Sequence, residues 1–274
     1  MRTETVTSAS NPKIRNLLLL QEKSRARREQ GLFVVEGRRE LEHCIEAGYS
    51  VRTLFVCPEI IDSSSLPLLR MTNESCHSER SEESLLIEIP EALYRKVAYR
   101  ESTEGIIAEV EYKGLTLSDL SLPENPLVMV LESVEKPGNL GAVLRSADAA
   151  GAHAVIICDP LTDLFNPNLI RASIGAVFTA PTVACSSEDA IRFLKERNIQ
   201  ILTAQLQDSS LYYDVDMRRG TALVMGTEST GLTNIWREAA DAHIRIPMLG
   251  RLDSLNVSVS ASILLFEAVR QRQV

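Results

Sequence analysis

Short apolar segments alternate with amphipathic ones along the chain, and the pattern changes near residue 127. Helices and strands of the first part are predicted at 11–29 (helix), 32–37 (strand), 38–48 (helix), 51–57 (strand), 90–98 (helix) and 105–112 (strand). Residues 62–84 are rich in Ser and Glu and lack a hydrophobic period, which predicts an exposed loop. We therefore expect a small α/β domain over residues 1–112.

The second part has continuously apolar strands separated by helical segments. The predicted strands are LVMVLES, HAVIICD, APTVAC, IQILTAQ, TALVMGT and HIRIPM, and NPNLIRASIG is one of the helices between them. Strands of this kind are typical of a parallel sheet covered by helices on both faces. We expect this α/β domain to span 127–274, after a linker at 113–126 that contains Gly114 and two prolines.

Composition narrows the class of protein. The 274 residues are 45% hydrophobic and 24% charged, which suits a soluble chain with a sizeable core. The five cysteines are scattered without a CxxC pair, which argues against disulfides or zinc and for a reducing cytoplasm. The four histidines lack metal-ligand spacing, so we expect no metal. No membrane segment is expected, because no apolar run approaches about 20 residues. No signal peptide is expected either, because the start MRTETVTSASNPK lacks an apolar core.

Charge is distributed unevenly along the chain. Residues 1–40 hold nine Lys/Arg and five Asp/Glu, a net charge of +4, whereas the remainder holds 20 and 32, a net charge of −12. A basic segment on an acidic body favours local contact with phosphates over wrapping of a nucleic acid. The alternative is an ordinary solvated helix face. The candidate RNA contacts are Lys13, Arg15, Lys23, Arg25, Arg27, Arg28 and Arg38.

The first polar loop follows the strand LVMVLES. Asn139 is expected at the N-cap of the next helix, where it could orient a ligand, and Gly141 allows a close approach of the backbone. Arg145 lies further along that helix among apolar and small residues, where a guanidinium needs an anionic partner. The partner is either a ligand or a structural carboxylate such as Asp148 or Glu132.

Two further polar loops follow later strands. In GTESTGLT, Gly226 and Gly231 bracket Glu228, whose charge would repel a phosphate, and the segment is not a P-loop. A less anionic ligand such as S-adenosylmethionine fits this loop better. The third loop follows HIRIPM and carries Ser254 and Asn256 into a long apolar helix. Both residues could simply cap that helix, or they could belong to a site.

Together and in this order, the three loops resemble the SpoU family, the TrmH-like RNA ribose 2′-O-methyltransferases of the SPOUT class. The matching segments are PGNLGAVLRSADAAGA, LVMGTESTGLT and IPMLGRLDSLNVSVSASILLFEAVRQR, so the resemblance covers about residues 127–274. The segment TSASNPKIRNLLLLQEKSRARREQGLFVVEGRRE resembles the family's N-terminal substrate-binding domain, which is similar to a small RNA-binding ribosomal protein.

The resemblance implies a site, a substrate and an assembly. It implies S-adenosylmethionine bound near Ala204, Gly226, Ile246 and Leu255, and catalysis by Arg145 supported by Asn139, Glu228, Ser254 and Asn256. It also implies a deep trefoil knot and a homodimer. Ribosomal RNA, 23S in particular, is the expected substrate and transfer RNA the second choice. Two alternatives are a catalytically inactive RNA-binding protein on the same scaffold and an α/β enzyme that uses another adenosine ligand.

Overall fold

The computed structural model describes residues 2–61, 84–99, 104–227, 230–251 and 254–273, so most of the predicted Ser/Glu-rich loop lies outside the described residues. The chain divides into two compact units. The first comprises Met1–Lys113 and Phe165–Thr179, and the second comprises Gly114–Leu164 and Ala180–Val274. None of the helices in the described part of the chain is long and apolar enough to cross a membrane.

The helices and strands follow one another along the chain with these bounds. The helices are α1 (Pro12–Glu22), α2 (Ser24–Gln30), α3 (Arg38–Glu46), α4 (Glu91–Val97), α5 (Pro137–Ala149), α6 (Pro167–Ser173), α7 (Ala176–Thr179), α8 (Ser187–Glu196), α9 (Asn234–Ala239) and α10 (Val257–Arg272). The strands are β1 (Arg2–Thr5), β2 (Leu32–Glu36), β3 (Val51–Val56), β4 (Leu85–Glu88), β5 (Ile106–Glu111), β6 (Leu127–Glu132), β7 (Ala154–Cys158), β8 (Thr182–Cys185), β9 (Gln200–Ala204), β10 (Ser210–Leu211), β11 (Thr221–Met225) and β12 (Ala242–Arg245).

The first unit is built on a mixed five-stranded sheet in the order β1-β4-β3-β5-β2. Strand β5 is antiparallel to both β2 and β3, whereas β4 is parallel to β1 and β3. Strands β1 and β4 were not predicted from the sequence. The segment RTET of β1 has no apolar residue, and the four residues of β4 are too few to show a period.

Residues 11–29, expected as one helix, form two. Asn11 begins α1 as predicted, because its side chain accepts a hydrogen bond from the backbone N–H of Lys13. Lys23 then adopts an extended conformation, with φ −109° and ψ 109°, and separates α1 from α2. Arg27 is buried and donates to the carbonyl oxygens of Leu20, at 2.6 Å, and Gln21, at 3.2 Å. The guanidinium thus stabilises the end of α1.

The segment Phe165–Thr179 packs in the first unit, although its position in the sequence had placed it in the second domain. The ring centroids of Phe33 and Phe165 are 4.4 Å apart, and those of Tyr49 and Phe178 are 5.3 Å apart. Apolar periodicity identifies the helix α6 correctly, but it does not say which sheet the helix covers. The division at residue 127 therefore does not describe the packing of this segment.

The second unit contains a seven-stranded sheet in the order β10-β12-β9-β11-β6-β7-β8, and every neighbouring pair is parallel. Strands β6, β7 and β11 are buried along their whole length, as the continuous apolar runs predicted. The predicted parallel sheet flanked by helices is confirmed. The sequence analysis missed β10, because two residues carry no recognisable pattern.

Helices flank this sheet, and the predicted linker lies against it. Helix α10 packs on α5 and on strands β6 and β11, while α8 and α9 pack on each other and on β9. In the segment expected to be a linker, Leu115, Leu117 and Leu122 pack against the apolar core of the second unit. The guanidinium of Arg272 donates to the carbonyl oxygens of Asn125 and Pro126, which holds the end of this segment to α10.

Candidate active site

Three loops at the carboxyl ends of β9, β11 and β12 enclose a cavity of about 450 Å³. Ligands of open α/β sheets bind at this edge, because the loops there are free to vary while the strands fix their starting points. Residues that line the cavity include Ala204, Gln205, Gln207, Met225, Gly226, Thr227, Thr230, Gly231, Leu232, Arg237, Arg245, Ile246, Met248, Ser254, Leu255 and Ser260. The predicted cofactor residues Ala204, Gly226, Ile246 and Leu255 are all among them.

Gly226 lies at the closest approach between two backbone segments of this wall. A Cβ atom at Gly226 would lie 2.2 Å from the carbonyl oxygen of Gly231, which is far inside any normal contact. The loop folds back on itself through a bond of 3.0 Å from the Gly231 N–H to the Thr227 carbonyl oxygen. Gly231 has φ +68°, a value that suits glycine. Gly226 and Gly231 thus allow a compact backbone wall.

Gln205 adds a polar group to the cavity that the sequence analysis did not identify. Its Nε2 donates to the carbonyl oxygen of Gln207 at 2.9 Å, which fixes the orientation of the amide. Its Oε1 is buried and accepts no hydrogen bond from the described residues. A buried acceptor of this kind is costly unless a water molecule or a ligand donates to it, so the site can accept a ligand with hydrogen-bond donors. In the sequence, Gln205 could have been identified by its position directly after Ala204, at the end of a strand.

Asn139 and Asn256 connect the segment after β6 with the loop after β12. The Nδ2 of Asn256 donates to the Oδ1 of Asn139 at 3.1 Å, and the Asn256 Oδ1 accepts from the backbone N–H of Ser258. Asn256 is therefore both the N-cap of α10 and a partner of Asn139. Asn139 is not the N-cap of α5, as expected, because the helix begins earlier, with Pro137 at its first position. Asn139 lies in the first turn instead.

Arg145 lies on α5 with an exposed side chain. Within the described ranges it forms no ion pair, so the structural pair with Asp148 or Glu132 is not formed. Glu132 is buried, and its carboxylate accepts from Thr233 instead. Ser254 lines the cavity. Glu228, predicted as a catalytic residue, lies outside the described residues.

The basic side chains predicted to contact RNA differ in exposure and in whether a carboxylate already pairs with them. Arg15 and Arg28 are exposed and have no partner among the residues described. Three others pair with nearby carboxylates, as Lys13 does with Glu4. The remaining pairs are Arg25 with Glu29 and Arg38 with Glu42. Lys23 is exposed beside Glu22, at 3.8 Å. The buried Arg27 is unsuited to phosphate contact, which corrects its place in the predicted set.

Two cysteines that are remote in sequence are neighbours at the carboxyl edge of the sheet. Cys158 and Cys185 are register partners on the parallel strands β7 and β8. The Cys158 thiol donates a hydrogen bond to the Cys185 sulfur, which raises the pKa of Cys158 and lowers that of Cys185. The sequence analysis missed this pair because only the strand order brings the two together.

A parallel sheet whose loops form a cavity at its carboxyl edge defines an α/β protein that binds a small molecule there. The family model of the SpoU rRNA Methylase family matches residues 126–266, and that of the MRM3-like substrate binding domain matches residues 11–108. The chain belongs to the SpoU rRNA methylase family, which confirms the resemblance noted in its sequence.

Individual relatives cover one or both parts of the chain. The 23S rRNA (uridine(2479)-2′-O)-methyltransferase of Streptomyces viridochromogenes is 30% identical over 253 residues, which are 90% of this chain and 85% of that protein. The 23S rRNA (guanosine-2′-O-)-methyltransferase RlmB of Bordetella pertussis is 40% identical over 175 residues, 62% of this chain and 71% of the relative. The crystal structure of an AdoMet-bound rRNA methyltransferase from Sinorhizobium meliloti is 29% identical, with a TM-score of 0.87 over 98% of each chain.

We predict that Gly226→Ala weakens the binding of S-adenosylmethionine by roughly tenfold or more, which is at least about 1.4 kcal/mol of binding free energy. The added methyl group would displace the backbone at Gly231, where the cavity wall turns. Isothermal titration calorimetry measures the effect. Gly250→Ala is the matched control, because a Cβ atom there meets open space. Equal affinities of both variants and the wild type would contradict the prediction.

Proposed function

We propose that the protein transfers the methyl group of S-adenosylmethionine to a ribose 2′-hydroxyl of ribosomal RNA, namely 23S rRNA. The observation that carries this proposal is the cavity formed by three loops within the family's matched region. Relatives that match most or much of the chain are named as 23S rRNA 2′-O-methyltransferases. A ribosomal RNA substrate agrees with the cytoplasmic location expected from the scattered cysteines.

The cavity suits S-adenosylmethionine by its chemistry. Its backbone wall at Gly226 and Gly231 carries no side chain that would fill it, and the Gln205 Oε1 offers an acceptor to an amino or hydroxyl group. Ala204, Gly226, Ile246 and Leu255 hold the cofactor, which supplies a methyl group on a positively charged sulfur. A related structure is described as AdoMet bound.

The residues around Arg145 provide the remaining chemistry. An arginine stays protonated in proteins, so a role as general base is unfavourable. Its planar guanidinium instead anchors the phosphate of the target nucleotide and stabilises negative charge that develops on the 2′-oxygen. Asn139 and Asn256, which are joined by a hydrogen bond, orient the ribose, and Ser254 orders the cavity rim. The resemblance also assigns Glu228 to the catalytic set, in support of Arg145.

We predict that Arg145→Lys lowers kcat by roughly 100-fold or more, because lysine keeps the charge but loses the two-pronged donor geometry. The affinity for S-adenosylmethionine should stay unchanged. Initial rates of tritium transfer to RNA and calorimetric cofactor titration separate the two effects. Arg192→Lys is the control, since Arg192 is an exposed arginine on α8 paired with Asp189. Near-full turnover of Arg145→Lys would rule out the guanidinium role.

The first unit binds RNA through the exposed members of its basic segment. Removal of residues 1–112 is a poor test, because Phe165 and Phe178 would lose their aromatic partners in that unit. We predict that the double variant Arg15→Gln/Arg28→Gln weakens RNA binding and lowers the salt slope of log Kobs by about one per lost phosphate contact. Fluorescence anisotropy at several salt concentrations measures both. Arg192→Gln should leave them unchanged, and an unaltered slope in the double variant would refute the RNA contact.

The assembly is a homodimer in which α10 packs against a second copy of the chain. Val259 and Phe266 are 47% and 49% exposed, and their spacing places them on one face of α10, with the half-buried Ile263 between them. The trefoil knot implied by the resemblance is part of the same proposal. Its support is the match of residues 126–266 to the family whose resemblance implies the knot.

We predict that Phe266→Glu converts the dimer to a monomer, because a charge would be buried in an apolar contact. Sedimentation equilibrium measures the mass. Leu161→Glu is the control, since Leu161 is 65% exposed at another position of the second unit. A wild-type protein that sediments as a monomer would overturn the dimer.

The substrate is tested by mapping 2′-O-methylation across ribosomal and transfer RNA in a strain that lacks the protein. We expect one lost methyl group in 23S rRNA, and restoration by the wild-type chain but not by Arg145→Lys. A lost methyl group in transfer RNA would redirect the substrate. No change in either RNA, together with intact RNA binding, would favour the catalytically inactive alternative.

A further inference from the structure

Glu132 is a buried carboxylate at the carboxyl end of β6, and only 3% of its surface is exposed. A buried charge is costly unless hydrogen bonds replace its hydration. Glu132 does not line the cavity described above. Glu132 is the one charged residue of a strand that is otherwise apolar, and its role is therefore something other than direct contact with a ligand in that cavity.

Thr233 donates the two shortest hydrogen bonds that the Glu132 carboxylate accepts. The Thr233 backbone N–H donates to Oε2 at 2.8 Å, and the Thr233 hydroxyl donates to Oε1 at 2.5 Å. Two bonds from one residue to an ionised acceptor are strong, and they fix both the backbone and the side chain of Thr233. Glu132 therefore holds Thr233 in place, although the two residues are remote in sequence.

Ser187 lies next to the same carboxylate, but its hydroxyl proton is donated to Asp159. Its hydroxyl is 2.6 Å from Oδ2 of Asp159 and 3.4 Å from Oε1 of Glu132. A hydroxyl carries one proton, so the short contact to Asp159 is the stronger bond. The Ser187 oxygen also accepts from the indole N–H of the buried Trp236 at 3.0 Å. Thr233 is thus the principal partner of Glu132.

Thr233 is the residue at which the cavity loop ends. Gly231 and Leu232, directly before it, line the cavity, and Gly231 is in closest contact with Gly226. Thr233 is also the N-cap residue of α9, which carries the cavity residue Arg237. A displacement of Thr233 would therefore be transmitted to both Gly231 and α9.

We propose that Glu132 is a positioning residue, which holds Gly231 and Leu232 in the cavity wall by accepting both hydrogen bonds of Thr233. The inference rests on the proposed function in one respect, namely that the cavity binds S-adenosylmethionine. Glu132 acts through Thr233 and touches neither the cofactor nor the RNA. Its loss therefore raises the KM and Kd for the cofactor, while kcat at saturating cofactor and RNA affinity are retained.

The first test is Glu132→Gln, which keeps the size of the side chain and replaces one acceptor oxygen by an NH₂ donor that faces a donor of Thr233. We expect the Kd for S-adenosylmethionine by calorimetry to rise about tenfold or more. Thr233→Val, which removes only the hydroxyl, should raise the Kd in the same direction, and Thr233→Ser should restore it. Combined with Thr233→Val, Glu132→Gln should cost less than it does alone.

A matched control separates positioning from general stability. Glu109 is a second buried carboxylate, 6% exposed, in the first unit, and it accepts from Asn16 at 3.3 Å. Glu109→Gln should change the thermal midpoint without changing the cofactor Kd. An equal loss of cofactor affinity in Glu109→Gln would reduce the effect of Glu132 to global destabilisation and overturn the proposal.

The failure of this inference differs from failure of the proposed function. If the wild type binds S-adenosylmethionine and Glu132→Gln binds it equally well, only the positioning role is overturned. If the wild type does not bind S-adenosylmethionine, the proposed function fails, and this inference fails with it.

Discussion

The structure of the site depends on one close approach between backbones, that of Gly226 to Gly231. Because a Cβ atom would lie 2.2 Å from the Gly231 carbonyl oxygen, the loop can form only with glycine at this position. The strand β11 sets one side of the contact, and the hydrogen bonds of Thr233 to Glu132 set the other. Both sides are held by buried groups, so Gly226 and Gly231 are positioned before a ligand binds. A preformed wall lowers the ordering cost that a ligand would otherwise meet.

The N-terminal residues of α10 and α5 link the cavity to the helix that carries Arg145. Asn256 caps α10 directly after the third loop and donates to Asn139 in the first turn of α5. Helix α5 also carries Arg145, so one short bond links the cavity loop to the element that presents the guanidinium. The packing of α10 on α5, together with the hydroxyl pair Ser146 and Ser262 at 2.7 Å, keeps this arrangement in register. The helix that carries Arg145 is thus hydrogen-bonded to, and packed on, the helix that follows the cavity residues Ser254 and Leu255.

Local patterns predicted the elements of the second unit and the loops of the candidate site, because buried parallel strands are continuously apolar and sites follow their carboxyl ends. The four predicted cofactor residues line one cavity for this reason. Features set by distant contacts were not predictable from local patterns. The packing of the segment Phe165–Thr179 in the first unit involves Phe33, and the structural role of Arg27 depends on the break at Lys23. The bonds from Thr233 to Glu132 and the proximity of Cys158 to Cys185 follow only from the order of the strands.

The central claim is that the cavity at β9, β11 and β12 is selective for S-adenosylmethionine over other adenosine ligands. The most direct measurement is a calorimetric titration of the whole chain with S-adenosylmethionine, ATP and NAD under identical conditions. We expect saturable binding of S-adenosylmethionine and at least roughly 100-fold weaker binding of ATP and NAD, a difference of about 2.7 kcal/mol. Tight binding of ATP or NAD, or no binding of S-adenosylmethionine, would contradict it.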